Sequence, residues 1–203
     1  MSTTTTTMPP EQRVSKVFEL LENSGKKEHS SGKMTQLDHA LHVANLAMRE
    51  GADEETILAG LLIDISQHDK KQAVQLPTNL APDFMAVDRY EADDFSPSDY
   101  GFSYKTCELA TSISLANSYY STKKFESGDY TGTATMIFDA VPRTLPLPTE
   151  ILNFEKDPLF KQKVQLAKWD NAAANITGVK PPALDKYRDM AFKNLLMSEK
   201  TLY

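Results

Sequence analysis

The chain has 203 residues, of which 40% are hydrophobic and 25% are charged, a balance that is ordinary for one folded domain with a sizeable core. Its formal net charge of −6 disfavours binding to nucleic acid or to an anionic membrane, because both need clustered lysine and arginine. No apolar run approaches the roughly 20 residues that span a bilayer, and the lone Cys107 leaves no internal disulfide, which fits a cytoplasmic protein.

Residues 1–10, MSTTTTTMPP, lack the apolar stretch of a secretory signal. Their run of threonines and their two prolines predict a disordered lead-in. A first helix is predicted for EQRVSKVFELLENSG, where apolar residues recur at helical spacing before Gly25. A second is predicted for SGKMTQLDHALHVANLAMREG, which ends at Gly51. The third follows Asp53, a predicted N-cap. Its body, TILAGLLIDIS, is apolar on nearly every side and predicts a buried central helix.

The helical pattern dissolves over residues 70–98, which are rich in proline and in acidic residues. A loop of this length inside a compact domain is usually functional or partly disordered. Its scattered aromatic residues favour the first interpretation, in which the loop folds over a pocket as a lid.

Helical spacing returns in the second half of the chain. It predicts helices over YKTCELATSISLANSYYSTKKF and KQKVQLAKWDNAAANI, a short helical turn near Glu150, and a last helix opened by Pro181 and Pro182. No stretch alternates as a strand does, and no internal repeat is present. The predicted architecture is therefore an all-α, single-domain bundle of about six to eight helices over residues 11–203.

The four histidines are candidate metal ligands, because zinc and iron in proteins usually need imidazole or thiolate. They are His29, His39, His42 and His68. His39 and His42 lie three residues apart on one predicted helix, so they occupy neighbouring faces. The two share a site unless one of them points at solvent.

Two aspartates stand in apolar surroundings. Asp64 lies in the nearly wholly apolar third helix, and Asp170 follows Trp169 in an amphipathic helix. A buried carboxylate must be paired, hydrogen-bonded, metal-bound or neutralised. Asp64 is therefore the residue of the chain that most needs an explanation.

A family resemblance rests on three stretches of sequence. QLDHALHVANLAMREGADEETILAGLLIDIS resembles the opening half of the HD-domain superfamily, and more narrowly of the diiron oxygenases that cleave organophosphonates. FEKDPLFKQKVQLAKWDNAAA resembles a later block in which a Trp-Asp pair supplies a metal ligand, and PPALDKYRDM resembles the closing helix. The resemblance implies an HD-like helical bundle with a site at its centre.

Carried over position by position, the resemblance implies that His39 and Asp170 match metal ligands of that family. The family's His-Asp doublet falls on Ile63 and Asp64, so the histidine is replaced and the aspartate is retained. Three positions of the family's site thus survive.

Other positions depart from the family. The histidine that commonly follows the doublet falls on Gln67, with His68 one residue out of register, and no histidine follows His68. The family's substrate-side tyrosine and glutamate fall near His29 and Gly32. This count disfavours a diiron centre, and we expect neither a metal nor another cofactor. A zinc, magnesium or manganese ion held by one histidine and two aspartates is the alternative.

The predicted catalytic residues are His39, Asp64 and Asp170. His39 is the candidate general acid or base, and the carboxylates orient it or bind a polar group of a ligand. A structural hydrogen-bond network is the alternative. The residues predicted to bind substrate are His42, Ile63, Tyr119, Tyr120, Met136, Phe138 and Trp169. Plain packing is the alternative for these, and two adjacent tyrosines on a helix cannot both face inward.

The first functional hypothesis is a metal-independent enzyme. It binds an apolar metabolite in the pocket that the family uses for its metal and that the missing ligands leave empty here. Cyclisation or isomerisation of the natural-product type, including Diels–Alder chemistry, needs little more than a held conformer and a hydrogen bond to a carbonyl. The second is a non-catalytic protein that binds a small molecule or a partner. The third is a residual metal-dependent oxygenase or phosphohydrolase. A homodimer is left open.

Overall fold

The computed structural model of the chain describes residues 8–29, 31–66, 95–126 and 148–201. Within these residues there are eight α-helices and no strand, which confirms the all-α prediction. The helices are α1 (Pro10–Ser24), α2 (Gln36–Arg49), α3 (Glu54–Ser66), α4 (Tyr104–Thr111), α5 (Ile113–Glu126), α6 (Pro148–Glu155), α7 (Phe160–Ala173) and α8 (Arg188–Thr201). Short 3₁₀ helices over Pro97–Tyr100 and Leu184–Tyr187 precede α4 and α8. Among the described helices, none is both long enough and apolar enough to cross a membrane.

Helix α3 is the central helix of the bundle, as its sequence predicts. It packs against α1, α2, α4, α7 and α8. Burying one aliphatic side chain fully contributes about 1.5–3 kcal/mol, and α3 buries the following: Ile57, Leu58, Ala59, Leu61, Leu62, Ile63 and Ile65. The predicted N-cap is also confirmed, because Oδ1 of Asp53 accepts a hydrogen bond from the N–H of Thr56 at 3.0 Å.

The stretch predicted as one helix over residues 104–125 is divided into α4 and α5 at Ser112. The Ser112 hydroxyl donates to the carbonyl of Leu109 at 3.2 Å, and the Thr111 hydroxyl donates to that of Cys107 at 2.9 Å. Such bonds compete with the helical backbone pattern and bend the helix.

The predicted lid over residues 70–98 lies mostly outside the described residues. The part that is described begins at residue 95 and packs against the rest of the described structure. Phe95 and Pro97 are buried, and the Phe95 ring stacks on Tyr100 with a centroid separation of 5.2 Å. The end of this segment is therefore core.

Helices α1 and α8 are joined through Arg13, whose side chain is buried. Its guanidinium donates to the main-chain oxygens of Met8 and Tyr100, each at 3.0 Å, and to the carboxylate of Glu199. One side chain thus connects the start of α1, the 3₁₀ helix before α4 and the end of α8.

Gly25 lies where α1 turns towards α2, and we expect Gly25→Ala to be strongly destabilising. Its φ of −70° is open to any residue, so the reason is space. A Cβ would lie 2.3 Å from the carbonyl oxygen of Leu21 and 2.5 Å from Cβ of Leu37. Relieving such overpacking costs about 1–3 kcal/mol, which urea unfolding will measure.

The matched control for that variant is Gly51→Ala. Gly51 has a φ of +77° and nothing within 4 Å of an added Cβ. Alanine there would lose stability only through its unfavourable left-handed backbone conformation. A loss of stability at Gly25 no larger than that at Gly51 would contradict the steric explanation.

Candidate active site

Close packing of α2 against α3 places His39 opposite Asp64. A Cβ on Gly60 of α3 would lie 3.1 Å from Cγ1 of Val43 on α2, so the two helices approach closely there. Residues four apart share a helix face. Because the helices run antiparallel, His39 faces Asp64 one turn further along. The glycine at position 60 thus brings the imidazole within reach of the carboxylate.

Both ring nitrogens of His39 are engaged. Nδ1 lies 2.9 Å from Oδ2 of Asp64, and Nε2 lies 3.2 Å from the main-chain oxygen of Asp170 and 3.5 Å from its Oδ1. A carbonyl oxygen only accepts, so Nε2 carries a proton and donates it. The His39 side chain is 1% exposed, while those of Asp64 and Asp170 are 16% and 17% exposed. The cluster is a buried imidazole between two carboxylates that reach solvent.

The charges of this cluster favour a protonated ring. Burial opposes protonation of His39, but the hydrogen bond with Asp64 and the charges of Asp64 and Asp170 outweigh it, so the pKa of His39 is raised above 6.5. Burial also raises the pKa of Asp170 above 3.8, and His39 and Asn117 offset this only in part. The raised pKa and the acceptors at both nitrogens favour the imidazolium form of His39, which donates on two sides.

Asn117 of α5 belongs to the cluster and was missed from the sequence. Its Nδ2 donates to Oδ2 of Asp170 at 2.7 Å, and its Oδ1 accepts from Nδ2 of Asn171 at 3.0 Å. These bonds fix the orientation of the Asp170 carboxylate. The available signal was spacing, because Asn117 follows the buried Ile113 by four residues and continues the inward face of α5.

His29 is the second member of the cluster that the sequence does not reveal. The sequence marks it as one of four candidate metal-ligating histidines and as lying near a substrate-side position of the family. Its ring stacks on that of His39, with a centroid separation of 3.9 Å and an interplanar angle of 18°. Burial and the neighbouring His39 lower the pKa of His29 below 6.5, and Asp64 opposes that change. Sequence carries no signal for this contact, because the loop that holds His29 has no helical period.

Proximity alone suggests a metal site at this cluster. A ring nitrogen of His29, a ring nitrogen of His39 and a carboxylate oxygen of Asp64 lie within 4.8 Å of one another. However, a metal lies in the plane of each imidazole that binds it, because the nitrogen lone pair lies in that plane. The planes of two stacked rings meet only far from the rings. The described residues therefore do not fit a metal ion that both histidines share.

Two residues predicted to bind substrate lie inside the bundle. His42 is buried, so the alternative in which it points at solvent is wrong, and its ring is hydrogen-bonded to the main chain of Val179. Burial lowers the pKa of His42 further than that bond raises it. Ile63 is buried in the hydrophobic core. A contact of either residue with substrate stays a prediction.

The two predicted tyrosines have partners of their own. The Tyr119 hydroxyl donates to Oε1 of Glu155 at 3.0 Å, and its ring packs against Phe154 of α6 with a centroid separation of 5.2 Å. The Lys124 ammonium lies 5.2 Å from the centroid of the Tyr120 ring. The structure thus places Tyr119 against α6, and the predicted substrate contacts of both residues stay predictions.

Trp169 is buried beside Asp170 on α7. Its indole N–H has no hydrogen-bond acceptor among the described residues. A contact of Trp169 with substrate stays a prediction. Met136 and Phe138 lie outside the described residues, and so does His68.

A helical bundle with a His-Asp pair between two neighbouring helices is what the resemblance to the HD-domain superfamily implies. A comparison with known proteins supports that class. The chain is 28% identical, over 183 residues, to the hydroxymethylphosphonate dioxygenase of Gimesia maris, a match that covers 88% of this chain and 86% of the relative. No family model matches the chain.

Proposed function

We propose that the chain is a metal-independent enzyme that uses an HD-like centre to isomerise or cyclise a small, largely apolar metabolite. The observation that carries the proposal is the double hydrogen bonding of His39. Its ring is held between Asp64 and Asp170 with both nitrogens in use. The carboxylate and main-chain acceptors around the ring, together with its raised pKa, support a positively charged His39 between two carboxyl groups.

We infer different roles for the three residues from their exposure and hydrogen bonds. His39 is buried and fully hydrogen-bonded, so it acts as a positioning residue that holds both carboxylates. Asp64 and Asp170 are partly exposed and are the groups that contact substrate. Burial raises the pKa of the Asp170 carboxyl group, and a raised pKa makes a carboxyl group better suited to take up and return a proton. In an isomerisation one group removes a proton and the other returns one, so no oxidant or cofactor is consumed.

A residual metal-dependent oxygenase is the second candidate, and the similarity to a phosphonate dioxygenase favours it. A metal held by His39 and the two aspartates alone would have to replace one of the two hydrogen bonds that the ring nitrogens make. The hydrogen bonds that surround His39 and Asp170 come from carboxylate, amide and main-chain groups. Such partners do not attract a phosphonate anion, and this weakens the second candidate.

Metal content separates the two candidates. We expect protein produced in iron-supplemented medium to contain far less than one metal ion per chain by plasma mass spectrometry. We also expect no oxygen uptake when hydroxymethylphosphonate and ferrous iron are added. Stoichiometric iron or manganese together with oxygen uptake would contradict the metal-independent proposal.

A binding protein without activity gives a different outcome. If an apolar ligand that co-purifies in native mass spectrometry is never converted, and Asp64→Asn and Asp170→Asn retain it equally well, the centre is not catalytic. Conversion that stops in both variants while the ligand still binds supports the proposal.

A further inference from the structure

A cavity of about 410 Å³ lies apart from the His39 cluster. It is bounded by the junction of α4 with α5, by α6, and by the first turn of α7 with the residues just before it. Its volume is within the range of roughly 300–1,000 Å³ that is typical of small-molecule sites. None of the residues that line it belongs to the His39 cluster, so this cavity is a second place where the described part of the chain can receive a ligand.

Helix α6 forms one wall of the cavity without filling it. Phe154 is the buried residue of α6, and its ring packs against Tyr119 of α5 and Phe160 of α7, with centroid separations of 5.2 Å and 5.4 Å. Glu150 and Asn153, the other residues of α6 that line the cavity, are exposed. One aromatic side chain thus attaches α6 to the core, and its polar residues border the cavity.

A buried ammonium group in the cavity wall has one donor to spare. Lys163 lines the cavity, although its side chain is only 3% exposed. Burial opposes its charge, but the hydrogen bonds with Asp157 and Glu108 raise the pKa of Lys163 above 10.5, so it carries three N–H donors. Those two carboxylates take two donors, and the described residues offer no acceptor to the third. Leaving a buried donor unpaired costs about 1–3 kcal/mol, which favours a ligand with an oxygen acceptor.

The charge of the cavity sets the other requirement for a ligand. Carboxylates of Glu108, Glu150 and Asp157 line it, and the ammonium of Lys163 is the one cationic group among its lining residues. The negative groups therefore exceed the positive ones by two. This excess attracts a cation and repels an anion, so a phosphate or a phosphonate is disfavoured here.

We propose that this cavity binds a small organic ammonium compound that also carries a neutral hydroxyl or amide oxygen. The ammonium group of the ligand pairs with the carboxylates, and its oxygen accepts the third N–H of Lys163. Its carbon chain packs on Leu115 and Phe154, the apolar residues of the lining. The proposal is independent of the reaction at the His39 cluster, because the two sites share no residue.

The first test compares three probes of equal chain length in NMR titrations of the full chain at pH 7. They are pentylamine, pentanol, and the aminopentanol that carries its two polar groups at opposite ends. We expect saturable shifts in the backbone amide signals of Thr111, Asn153 and Phe154. Aminopentanol should bind about three- to tenfold more tightly than pentylamine, which lacks the acceptor, and pentanol should bind most weakly.

Equal affinity for aminopentanol and for either of the other probes overturns the proposal, because the site then does not use both polar groups. Absence of saturable shifts at those three residues overturns it as well.

The second test removes the charges one at a time. Glu150→Gln and Glu108→Gln each take away one negative charge, and glutamine at position 108 still offers an oxygen to Lys163. We expect each variant to be folded by urea unfolding and to bind aminopentanol about two- to fivefold more weakly than the wild type.

The matched control is Glu19→Gln, which makes the same change of charge at an exposed position of α1 that does not line the cavity. Its affinity for aminopentanol should equal that of the wild type. If both cavity variants bind as tightly as the wild type, or if the control loses as much affinity as they do, the carboxylates of the cavity do not bind the ammonium group and the proposal fails.

Discussion

His39→Phe is expected to abolish conversion of substrate and to lower the free energy of unfolding by about 2–3 kcal/mol. The substitution leaves Asp64 and Asp170 facing each other without a cation, and it leaves the main-chain oxygen of Asp170 without its donor. Breaking a buried ion pair costs about 3–5 kcal/mol, and the partial exposure of both carboxylates reduces that figure here. Urea unfolding at pH 6 measures the loss.

The matched control is His42→Phe on the same helix. His42 is also buried, and among the described residues its hydrogen bond is with the main chain of Val179, so its replacement should cost about 1 kcal/mol. A double-mutant cycle of His39→Phe with Asp64→Asn should be strongly non-additive. Equal losses at His39 and His42, with additivity in the cycle, would show that the cluster is not an ion pair.

The stability difference between the wild type and His39→Phe should depend on pH, and the direction of that dependence is fixed. Because the folded pKa of His39 is raised, its contribution to stability is complete below pH 6.5 and is lost as the pH rises through the folded pKa. The wild type should therefore lose stability relative to His39→Phe as the pH rises above 6.5. A difference between the two proteins that stays constant up to pH 9 would contradict the imidazolium assignment.

Lys163→Met is expected to be the second strongly destabilising change. The Lys163 side chain is 3% exposed, and its ammonium lies 2.5 Å from Oε1 of Glu108 and 2.7 Å from Oδ2 of Asp157. Methionine keeps the apolar stem but leaves two carboxylates without their cation. We expect a loss of about 2–3 kcal/mol at pH 7, less than for a fully buried pair because both carboxylates are partly exposed.

The stability of Lys163→Met at low pH gives a more specific test of this ion pair. Burial would raise the pKa of Asp157, but its hydrogen bonds with Lys163 and with the N–H of Leu159 prevail and hold it below 3.8. A lowered pKa gives stability that is present above pH 3.8 and is lost as the pH falls through the folded pKa. Lys163→Met should therefore show a weaker acid-dependent loss of stability than the wild type.

The control on the same helix is Lys168→Met. Lys168 is exposed, so its replacement should change stability by no more than about 0.5 kcal/mol. If the two methionine variants unfold at the same urea concentration at pH 7, the buried ammonium does not stabilise the fold as described.

The sequence predicts α3 and its N-cap because both follow from local rules. A nearly all-apolar run predicts a buried helix, and Asp53 precedes it at capping distance. The position of His39 opposite Asp64 follows from the short connection between two helices and from the family resemblance. His39 and Asp64 are 25 residues apart, so local sequence patterns are enough to predict that they face each other.

The rest of the cluster depends on contacts that no local rule contains. Asn117 and Asp170 are 53 residues apart, and their hydrogen bond exists only because α5 packs on α7. The stack of His29 on His39 depends on the course of an irregular loop. Protonation of His39 likewise depends on burial and on both aspartates together, so sequence lists the chemical groups but not their charge states.

The contact of Arg13 with Glu199 has a consequence for the order of folding during synthesis. Arg13 is among the first described residues to leave the ribosome and Glu199 is among the last, yet the buried guanidinium needs that carboxylate. The α1–α8 surface cannot form until Glu199 has been synthesised, 186 residues after Arg13. This part of the bundle therefore closes late, although α2 and α3 are able to pair earlier.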